Sequence, residues 1–278
     1  MGSYLRPQGL EEALSALSGG ALTVIAGGTD YYPARVERPA AEDILDITGI
    51  AALRRIEATA AHYRIGAGVT WTDLIRADLP PGFDGLKLAA REIGGVQIQN
   101  AGTIAGNICN ASPAADSMPN LLTLEAEVEL ASRDGARRLP VGDFVTGNRK
   151  TVRRADELVT GLLIPRSLAS APSTFLKLGA RRYLVISIVM VAAILEVRDR
   201  KVAMARLAVG SCSEVARRLP ELEAALVGSP AAGVAARLRG ADLGALTPID
   251  DVRASARYRR EAALVLLRRA LESLGAAA

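Results

Sequence analysis

Residues 97–116, QIQNAGTIAGNICNASPAAD, contain one of the two glycine-rich segments that decide the fold. The other segment is AGGTD at residues 26–30. Each follows an apolar or β-type run, at residues 22–25 and 96–99, and is therefore predicted to be a turn after a strand. Because glycine lacks a Cβ, successive glycines let several backbone N–H groups point toward one anion, and nearby threonine hydroxyls add donors. Two such turns predict a site that holds a diphosphate from two sides.

A polar ribbon follows the second glycine-rich segment, from Ile108 to Asp116. An aspartate accepts hydrogen bonds from two neighbouring hydroxyl groups, so the ribbon is predicted to continue along a sugar-like chain beyond the phosphates. Other interpretations remain for single residues. Gly27 and Gly28, taken alone, also fit a tight strand-to-helix turn, and Asp116 also fits the N-cap of the helix that is predicted to follow it.

The size and cysteine content of the chain restrict its class. A chain of 278 residues buries roughly three quarters of its unfolded surface and needs no disulfide. Cys109 and Cys212 are the two cysteines and lie far apart in sequence, which favours a reducing compartment. An iron–sulfur cluster takes about four thiolates, so this chain cannot hold one alone. With His62 as the one histidine, the sequence also predicts no metal site and no histidine-based triad.

Charge and hydropathy exclude two further classes. The net charge of +4 is modest, and the arginines at 253–269 cluster with an acidic residue, Glu261, as on a solvated helix face, so no nucleic-acid partner is predicted. No apolar run reaches about 18 residues, and the N-terminus lacks a basic segment followed by an apolar core. We therefore expect a cytoplasmic protein without a membrane span or a signal peptide.

The periodicity of apolar residues predicts two domains joined by a linker at residues 164–173. The first domain spans residues 1–166, with lobes at about 1–60 and 61–166, and the second spans residues 172–278. In the first domain the predicted strands are 22–25, 43–47, 54–57, 62–67, 126–132, 136–140 and 157–164, and the predicted helices are 8–18, a short helix with a capping box of Thr70 and Asp73, 84–92 and 117–123. In the second domain the predicted strands are 174–181, 186–197 and 202–209, and the predicted helices are 213–227, 230–238 and 255–274, the last with Tyr258, Ala262, Val265, Leu266 and Ala270 on one side.

Three segments together resemble the flavin subunit of the molybdenum hydroxylases, the xanthine dehydrogenase and carbon monoxide dehydrogenase family. They are AGGTD at 26–30, the stretch at 97–116, and STFLKLGARR at 173–182, in the family's order and at workable spacing. The resemblance runs from about residue 3 to the C-terminus. It implies an α+β protein in which a two-lobed FAD-binding α/β domain (PCMH-like) precedes a C-terminal α+β cap with a three-stranded antiparallel sheet and helices.

The resemblance also implies which residues contact FAD. In the family the two glycine-rich segments embrace the pyrophosphate, and the polar ribbon lies along the phosphates and the ribityl hydroxyls. The residues that carry over are Ile25, Ala26, Gly27, Gly28, Thr29, Asp30, Thr103, Gly106, Asn107, Cys109, Asn110, Ser112, Asp116, Val159 and Lys177. Asp30 has an alternative role as a cap of the segment that starts at Tyr31, Lys177 as a surface lysine on an exposed strand, and Val159, with Leu158, as part of an ordinary core strand.

The sequence departs from the family pattern at three positions. Ala105 stands where relatives commonly have a glycine, and Gln99 stands where the usual run has an arginine, which removes one positive charge. Ile93 occupies the position where some relatives place an aromatic ring against the flavin. An aliphatic residue packs there but cannot stack, so the resemblance alone leaves the flavin potential undefined.

The function that the resemblance implies is electron relay. A substrate is oxidised at a molybdenum centre on another chain, and electrons pass through [2Fe–2S] clusters to FAD and then to NAD⁺, oxygen or another acceptor. The implied partners are an iron–sulfur small subunit and a molybdopterin large subunit, in a dimer of heterotrimers. Two alternatives stay open: a stand-alone FAD-dependent reductase of the same fold, and a structural subunit that has lost its flavin. No general acid or base is assigned, because electron exchange at a flavin requires none.

Overall fold

The computed structural model describes residues 2–35 and 41–276, in which the chain folds into two compact units. Unit 1 comprises Met1–Ala77, Gly95–Ala111 and Ala126–Ile164, and unit 2 comprises Asp78–Gly94, Ser112–Glu125 and Pro165–Ala278. The units therefore alternate along the sequence, because unit 2 takes two segments from the chain before residue 165. The division into sequence domains at 1–166 and 172–278 stays a prediction.

Most of the helices and strands are short, and those of unit 2 include the longest. The helices are α1 (Leu10–Ser18), α2 (Trp71–Arg76), α3 (Asp84–Glu92), α4 (Val96–Ala101), α5 (Ile104–Asn110), α6 (Ser117–Thr123), α7 (Val141–Phe144), α8 (Arg166–Ala169), α9 (Pro220–Leu226) and α10 (Ala256–Ala276). The strands are β1 (Tyr4–Leu5), β2 (Thr23–Ile25), β3 (Ile44–Asp46), β4 (Ile56–Ala58), β5 (His62–Gly66), β6 (Glu127–Ser132), β7 (Gly135–Pro140), β8 (Val145–Gly147), β9 (Lys150–Thr151), β10 (Leu158–Pro165), β11 (Ser173–Leu178), β12 (Val189–Arg198), β13 (Lys201–Gly210) and β14 (Arg217–Arg218). Among the residues that the structure describes, no helix has the length and apolar character needed to cross a membrane.

Unit 1 contains a small parallel sheet with the strand order β1-β3-β2. The β-branched residues of β2 suit a strand, and α1 buries Ala13, Leu14 and Leu17 at helical spacing. Helix α1 ends at Ser18 with Gly19 as its C-cap, as the glycine pair predicted. The sheet therefore leaves the segment that follows β2, residues 26–30, at the end of a short strand whose last residue, Ile25, is buried.

A second sheet of unit 1 has the strand order β4-β5-β10-β6-β7. In β6, buried Val128 and Leu130 alternate with half-buried residues, as expected for a strand with one face on the core. Helix α2 begins with the predicted capping box: Thr70 Oγ1 accepts a hydrogen bond from Asp73 N at 3.1 Å, and Asp73 Oδ2 accepts one from Thr70 N at 3.1 Å. The predicted capping box is therefore confirmed. It was predictable because both partners lie within one helical turn.

The prediction of a strand before the second glycine-rich segment is wrong. Residues 96–99 belong to helix α4, in which Gln99 N donates to Gly95 O at 3.0 Å. Val96 and Ile98 alternate with glutamines, but four residues with this pattern also fit a single exposed helical turn, and Val96 is largely exposed. The segment after it is accordingly a junction between two helices, and it is not a turn after a strand.

Unit 2 is built on an antiparallel sheet with the strand order β11-β12-β13-β14. Strand β12 is buried on both faces: Val189, Val191, Ala193 and Leu195 pack in a core to which α10 contributes, and the alternate residues include Met190, which packs with Ala89 of α3. A strand covered on both faces is expected to be almost continuously apolar, as this one is. The fold class inferred from the sequence, α+β with helices and antiparallel strands, is confirmed.

The predicted cap sheet and the helices after it need correction. The sheet has a fourth short strand, because Arg217 and Arg218 pair with Val209 and Ala208. The helix predicted at 213–227 therefore begins only at Pro220, whose fixed φ suits the first helical turn. The helix predicted at 230–238 is a single 3₁₀ turn at Val234–Arg237, preceded by Gly233 with a φ of 74°.

The buried face of α10 differs from the predicted one. Ala263, Leu266, Leu267, Ala270, Leu271 and Leu274 are buried, together with Arg259. Leu266 and Ala270 thus belong to the buried face, whereas Tyr258 and Val265, which the sequence pattern groups with them on one side, are 49% and 45% exposed. Arg259 also turns inward, where its guanidinium donates to the carbonyl oxygens of Ile188 and Ser211 and to Asp251.

Candidate functional site

The first glycine-rich segment, Ala26–Asp30, is held against the end of α4. A Cβ on Gly27 would lie 1.9 Å from the carbonyl oxygen of Ala101, so only glycine allows the two backbones to approach. Gly28 has a φ of 64°, the left-handed region that other residues rarely adopt. The two glycines thus serve different purposes, since Gly27 permits a close contact and Gly28 permits a bend.

The second glycine-rich segment leads into α5. Thr103 is the N-cap of that helix, and its Oγ1 accepts a hydrogen bond from Gly106 N at 3.0 Å. Trp71 N donates to Gly102 O at 3.1 Å, and Ile104 N donates to Val69 O at 3.2 Å, so the junction is anchored to the start of α2. The predicted donors are therefore backbone groups and hydroxyls at a capped helix N-terminus, where the helix dipole favours an anion.

The two segments lie side by side in unit 1. Besides the contact of Gly27 with Ala101, a Cβ on Gly102 would lie 3.3 Å from Thr29 Oγ1. Next to this junction is a cavity of about 230 Å³. It is lined by Ala26, Gly27, Ile47, Thr48, Arg54, Gly68, Thr70, Asn100, Ala101 and Thr103. The structure thus brings together segments that are widely separated in sequence, as their shared glycine chemistry predicted.

Four polar residues of the cavity were not predicted from the sequence: Thr48, Arg54, Thr70 and Asn100. Asp46 Oδ1 accepts a hydrogen bond from Thr48 N at 2.9 Å, which fixes the turn after β3. The side chain of Asn100 accepts a hydrogen bond from Thr72 Oγ1 at 2.6 Å. Asn100 stands inside the segment that was singled out, so its type and place were available, but nothing local marks the other three as neighbours of Gly27.

Arg149, in the turn between β8 and β9, joins the ends of the two segments. Its Nη1 lies 2.7 Å from Asp30 Oδ2 and also hydrogen-bonds the side chain of Asn110 at the end of α5. Asp30 thus forms an ion pair with Arg149, whereas the alternative role for Asp30 was a cap of the segment after it. Sequence reasoning missed Arg149, because only the tertiary fold brings it to these residues.

The other predicted residues of unit 1 are in different environments. Gly106 and Cys109 are exposed on α5, and Asn107 is half-buried there. Ile25 is buried at the end of β2. Val159 is buried in β10, where it pairs with Leu130 of β6, and it does not line the cavity.

In unit 2, Asp116 and Lys177 form a buried ion pair. Lys177 Nζ lies 2.7 Å from Asp116 Oδ2, and the two side chains are 7% and 6% exposed. Ser187 Oγ donates a hydrogen bond to Asp116 Oδ1. Burial raises the pKa of Asp116, while Lys177 and Ser187 oppose that shift by stabilising the carboxylate. Lys177 is therefore not the exposed surface lysine of the alternative interpretation.

The polar ribbon carries two further details. Asp116 occupies the N-cap position of α6 but makes no capping hydrogen bond with its side chain, since both oxygens face Lys177 and Ser187. Ser112 Oγ accepts a hydrogen bond from Ala114 N at 3.2 Å. Ser187 was missed in the sequence, where a serine in an apolar run reveals no partner 71 positions away.

Known proteins match this chain along its whole length. The FAD binding domain in molybdopterin dehydrogenase matches residues 1–167, and the CO dehydrogenase flavoprotein C-terminal domain matches residues 174–274. The chain therefore belongs to the molybdopterin dehydrogenase family of FAD-binding subunits, and the resemblance seen in the sequence is confirmed. It is an oxidoreductase subunit, and FAD is the cofactor of its family.

Individual relatives agree with that assignment. The glyceraldehyde dehydrogenase medium chain of Sulfolobus acidocaldarius is 31% identical over 281 residues, which cover 98% of each chain. The nicotine 6-hydroxylase medium subunit of Paenarthrobacter nicotinovorans is 30% identical and covers 98% of this chain and 97% of its own. A chain of the reconstituted CO dehydrogenase from Oligotropha carboxidovorans superposes with a TM-score of 0.91 at 27% identity, covering 100% of this chain and 99% of that one.

Proposed function

We propose that this chain binds FAD with its diphosphate against Ala26–Asp30 and Thr103–Asn107. The observation that carries the proposal is the contact of Gly27 with the end of α4, which sets two donor-rich segments beside one cavity. The residues fit a diphosphate, since the first segment lacks a Cβ at two positions and the second ends in a capped helix. When bound, FAD supplies the electron-transfer chemistry.

The cavity in unit 1 is suited to one part of the cofactor. Its volume of about 230 Å³ is below the range of roughly 300–1,000 Å³ that is typical of sites for whole ligands. Thr48, Arg54, Thr70 and Asn100 supply hydrogen-bonding groups to the cavity wall. We assign to them one end of the FAD molecule, beyond the diphosphate.

The predicted contacts in unit 2 are retained in the proposal. Ser112, Asp116 and Lys177 keep their assignment to FAD, as does the buried Val159 of unit 1 as an apolar contact. The supporting feature is the buried, fully paired Asp116, whose neighbours Lys177 and Ser187 hold its carboxylate in one position. A carboxylate fixed in this way is a well-defined acceptor for hydroxyl groups.

The proposed role in the cell is electron relay within a larger complex. Electrons arrive from [2Fe–2S] clusters on an iron–sulfur small subunit, after oxidation of a substrate on a molybdopterin large subunit, and leave for NAD⁺, oxygen or another acceptor. Two observations support this role. The two cysteines of the chain are widely separated in sequence and too few for a cluster. The two relatives described above are named as a medium chain and a medium subunit. We further propose a cytoplasmic dimer of heterotrimers.

Identification of the released cofactor tests the binding proposal. The purified chain is denatured with acid, and the supernatant is separated by chromatography beside FAD and FMN standards. We expect FAD at close to one molecule per chain. FMN in its place would contradict the assignment of two segments to a diphosphate, and protein that neither carries nor takes up flavin would favour the structural subunit.

A further inference from the structure

Arg149 makes contacts with three places in unit 1 at once. Its Nη1 reaches Asp30 Oδ2 at 2.7 Å and the side chain of Asn110, while its backbone N donates to Ala111 O at 2.9 Å. Asp30 closes the first glycine-rich segment, and Asn110 and Ala111 end the helix that starts at the second. One residue therefore ties the far ends of both segments together.

The backbone at this place is also unusual. Arg149 has a φ of 59° and Ala111 has a φ of 50°, and both are non-glycine residues in the left-handed region. Such conformations are unfavourable for residues with a Cβ, so they persist only where surrounding contacts hold them. The hydrogen bond from Arg149 N to Ala111 O joins these two positions directly.

The Arg149 contacts are poorly suited to stabilising the fold. The side chains of Arg149 and Asp30 are 52% and 58% exposed, and exposed ion pairs contribute little to the free energy of unfolding. An arginine that reaches two side chains nevertheless fixes their relative position, because its planar guanidinium presents several donors in a rigid arrangement. These contacts are thus expected to align the two glycine-rich segments and to add little to the free energy of unfolding.

We infer that Arg149 is a positioning residue for FAD, which holds Ala26–Asp30 and α5 in the alignment that the cofactor requires. The inference rests on the proposed binding of FAD at those segments. Binding groups that are not held in place by a second layer of contacts lose affinity, because ordering them then opposes binding. Arg149 supplies that layer through Asp30 and Asn110.

The test compares Arg149→Met, Arg149→Lys and Asp30→Asn in the full chain. Because methionine and lysine carry the same positive φ at this position, backbone strain does not distinguish them. We expect Arg149→Met to raise the dissociation constant for FAD about tenfold, within the usual range of coupling between sites. Asp30→Asn should weaken binding in the same direction, and Arg149→Lys should recover part of the loss, since it keeps the charge but not the fork.

The matched control is Arg138→Met, which removes an exposed arginine (55%) from an ion pair with Glu129 on β6 of the same unit. It should change neither FAD affinity nor the unfolding midpoint of the flavin-free protein. Affinity is read from flavin fluorescence during titration of flavin-free protein, and stability from urea unfolding.

The outcomes separate the two proposals. If the wild-type chain does not bind FAD, the proposed function fails and the role of Arg149 fails with it. If the wild type binds and Arg149→Met and Asp30→Asn bind equally well, the positioning role alone is overturned. Affinity losses that merely follow a lowered urea midpoint, without recovery in Arg149→Lys, would make Arg149 a structural residue and also overturn the inference.

Discussion

Single residues in this protein show how glycines of one motif divide their tasks. Gly27 is required by the carbonyl oxygen of Ala101, which leaves no room for a Cβ, whereas Gly28 is required by its own φ of 64°. The sequence predicts both as members of one anion-binding turn, since it shows only that neither residue has a side chain. The close contact of Gly27 depends on helix α4, whose last residue, Ala101, lies 74 positions farther along the chain.

Gly28→Val is expected to reduce FAD retention with a modest loss of stability. A left-handed conformation costs a residue with a Cβ about 1–2 kcal/mol, and the new side chain would meet the ring of Tyr32, where a Cβ comes within 2.6 Å. The flavin-to-protein ratio after gel filtration and the urea midpoint check this prediction. Gly20→Ala serves as the control, because a Cβ at Gly20 has nothing within 4 Å. A Gly28→Val protein with a full complement of FAD would contradict the role of this turn.

Secondary-structure elements were predictable where their causes are local. The capping box of Thr70 and Asp73 and the helices α3 and α6 follow from residues within one or two turns. Helix α4 was not predictable, because alternating apolar residues over four positions fit a strand as well. Strand β14 exists only through its pairing with Val209 and Ala208, and no pattern in two arginines announces that. The same limit explains why Arg149 and Ser187 were missed.

Arg259 is expected to be the most sensitive charged residue of α10. Its side chain is 4% exposed and donates to Ile188 O at 2.6 Å, Ser211 O at 3.0 Å and Asp251 Oδ1 at 2.7 Å. Arg259→Met should lower the free energy of unfolding by about 3 kcal/mol, because acceptors lose their buried partner. Arg257→Met is the matched control: that side chain is 89% exposed, so its solvent-screened pair with Glu261 should contribute little to the free energy of unfolding. Urea unfolding of both variants measures the difference, and equal losses would contradict the prediction.

Asp251 is expected to make the free energy of unfolding depend on pH in the acidic range. Burial raises the pKa of Asp251, but hydrogen bonds from the backbone of Arg253 and the side chains of Arg259 and Arg253 outweigh it and lower the pKa from 3.8 to about 2. A carboxyl with a lower pKa in the folded state stabilises the fold above its unfolded pKa, and that contribution disappears as pH falls from about 4 to about 2. The urea midpoint of wild type relative to Asp251→Asn should therefore be higher at pH 6 and converge toward pH 2. A constant difference across this range would show that Asp251 is not the titrating group.

At the scale of the whole molecule, the chain belongs to a family of FAD-binding subunits. The family was predictable from three short segments because cofactor contacts constrain backbone and side chains at fixed spacing. The fine arrangement of the site was not, since Gly27, Ala101 and Arg149 meet only in the folded unit. The organic substrate cannot be read from such segments, because its binding pocket is expected on another chain.

Isolated chain is expected to keep FAD but to leave the organic substrate of its complex unoxidised. It supplies no metal centre for that oxidation in its proposed role, and Cys109 and Cys212 are too few for a cluster. Adding the iron–sulfur and molybdopterin subunits should restore substrate oxidation, measured with an artificial dye as acceptor. If the purified chain alone turned over the substrate with matching flavin reduction, the relay would be replaced by a stand-alone reductase.

The alternation of the two units along the chain has a consequence for biosynthesis. A ribosome has delivered every residue of unit 1 once Ile164 emerges, whereas α3 and α6 have been made but their partner strands β11–β13 have not. Leu86 and Leu121, which are completely buried in the finished protein, then await residues up to Gly210. At roughly 5–20 residues per second the wait lasts a few seconds. During that interval the apolar faces of α3 and α6 are exposed on the nascent chain and accessible to chaperones. A truncated chain that ends near residue 166 exposes them permanently.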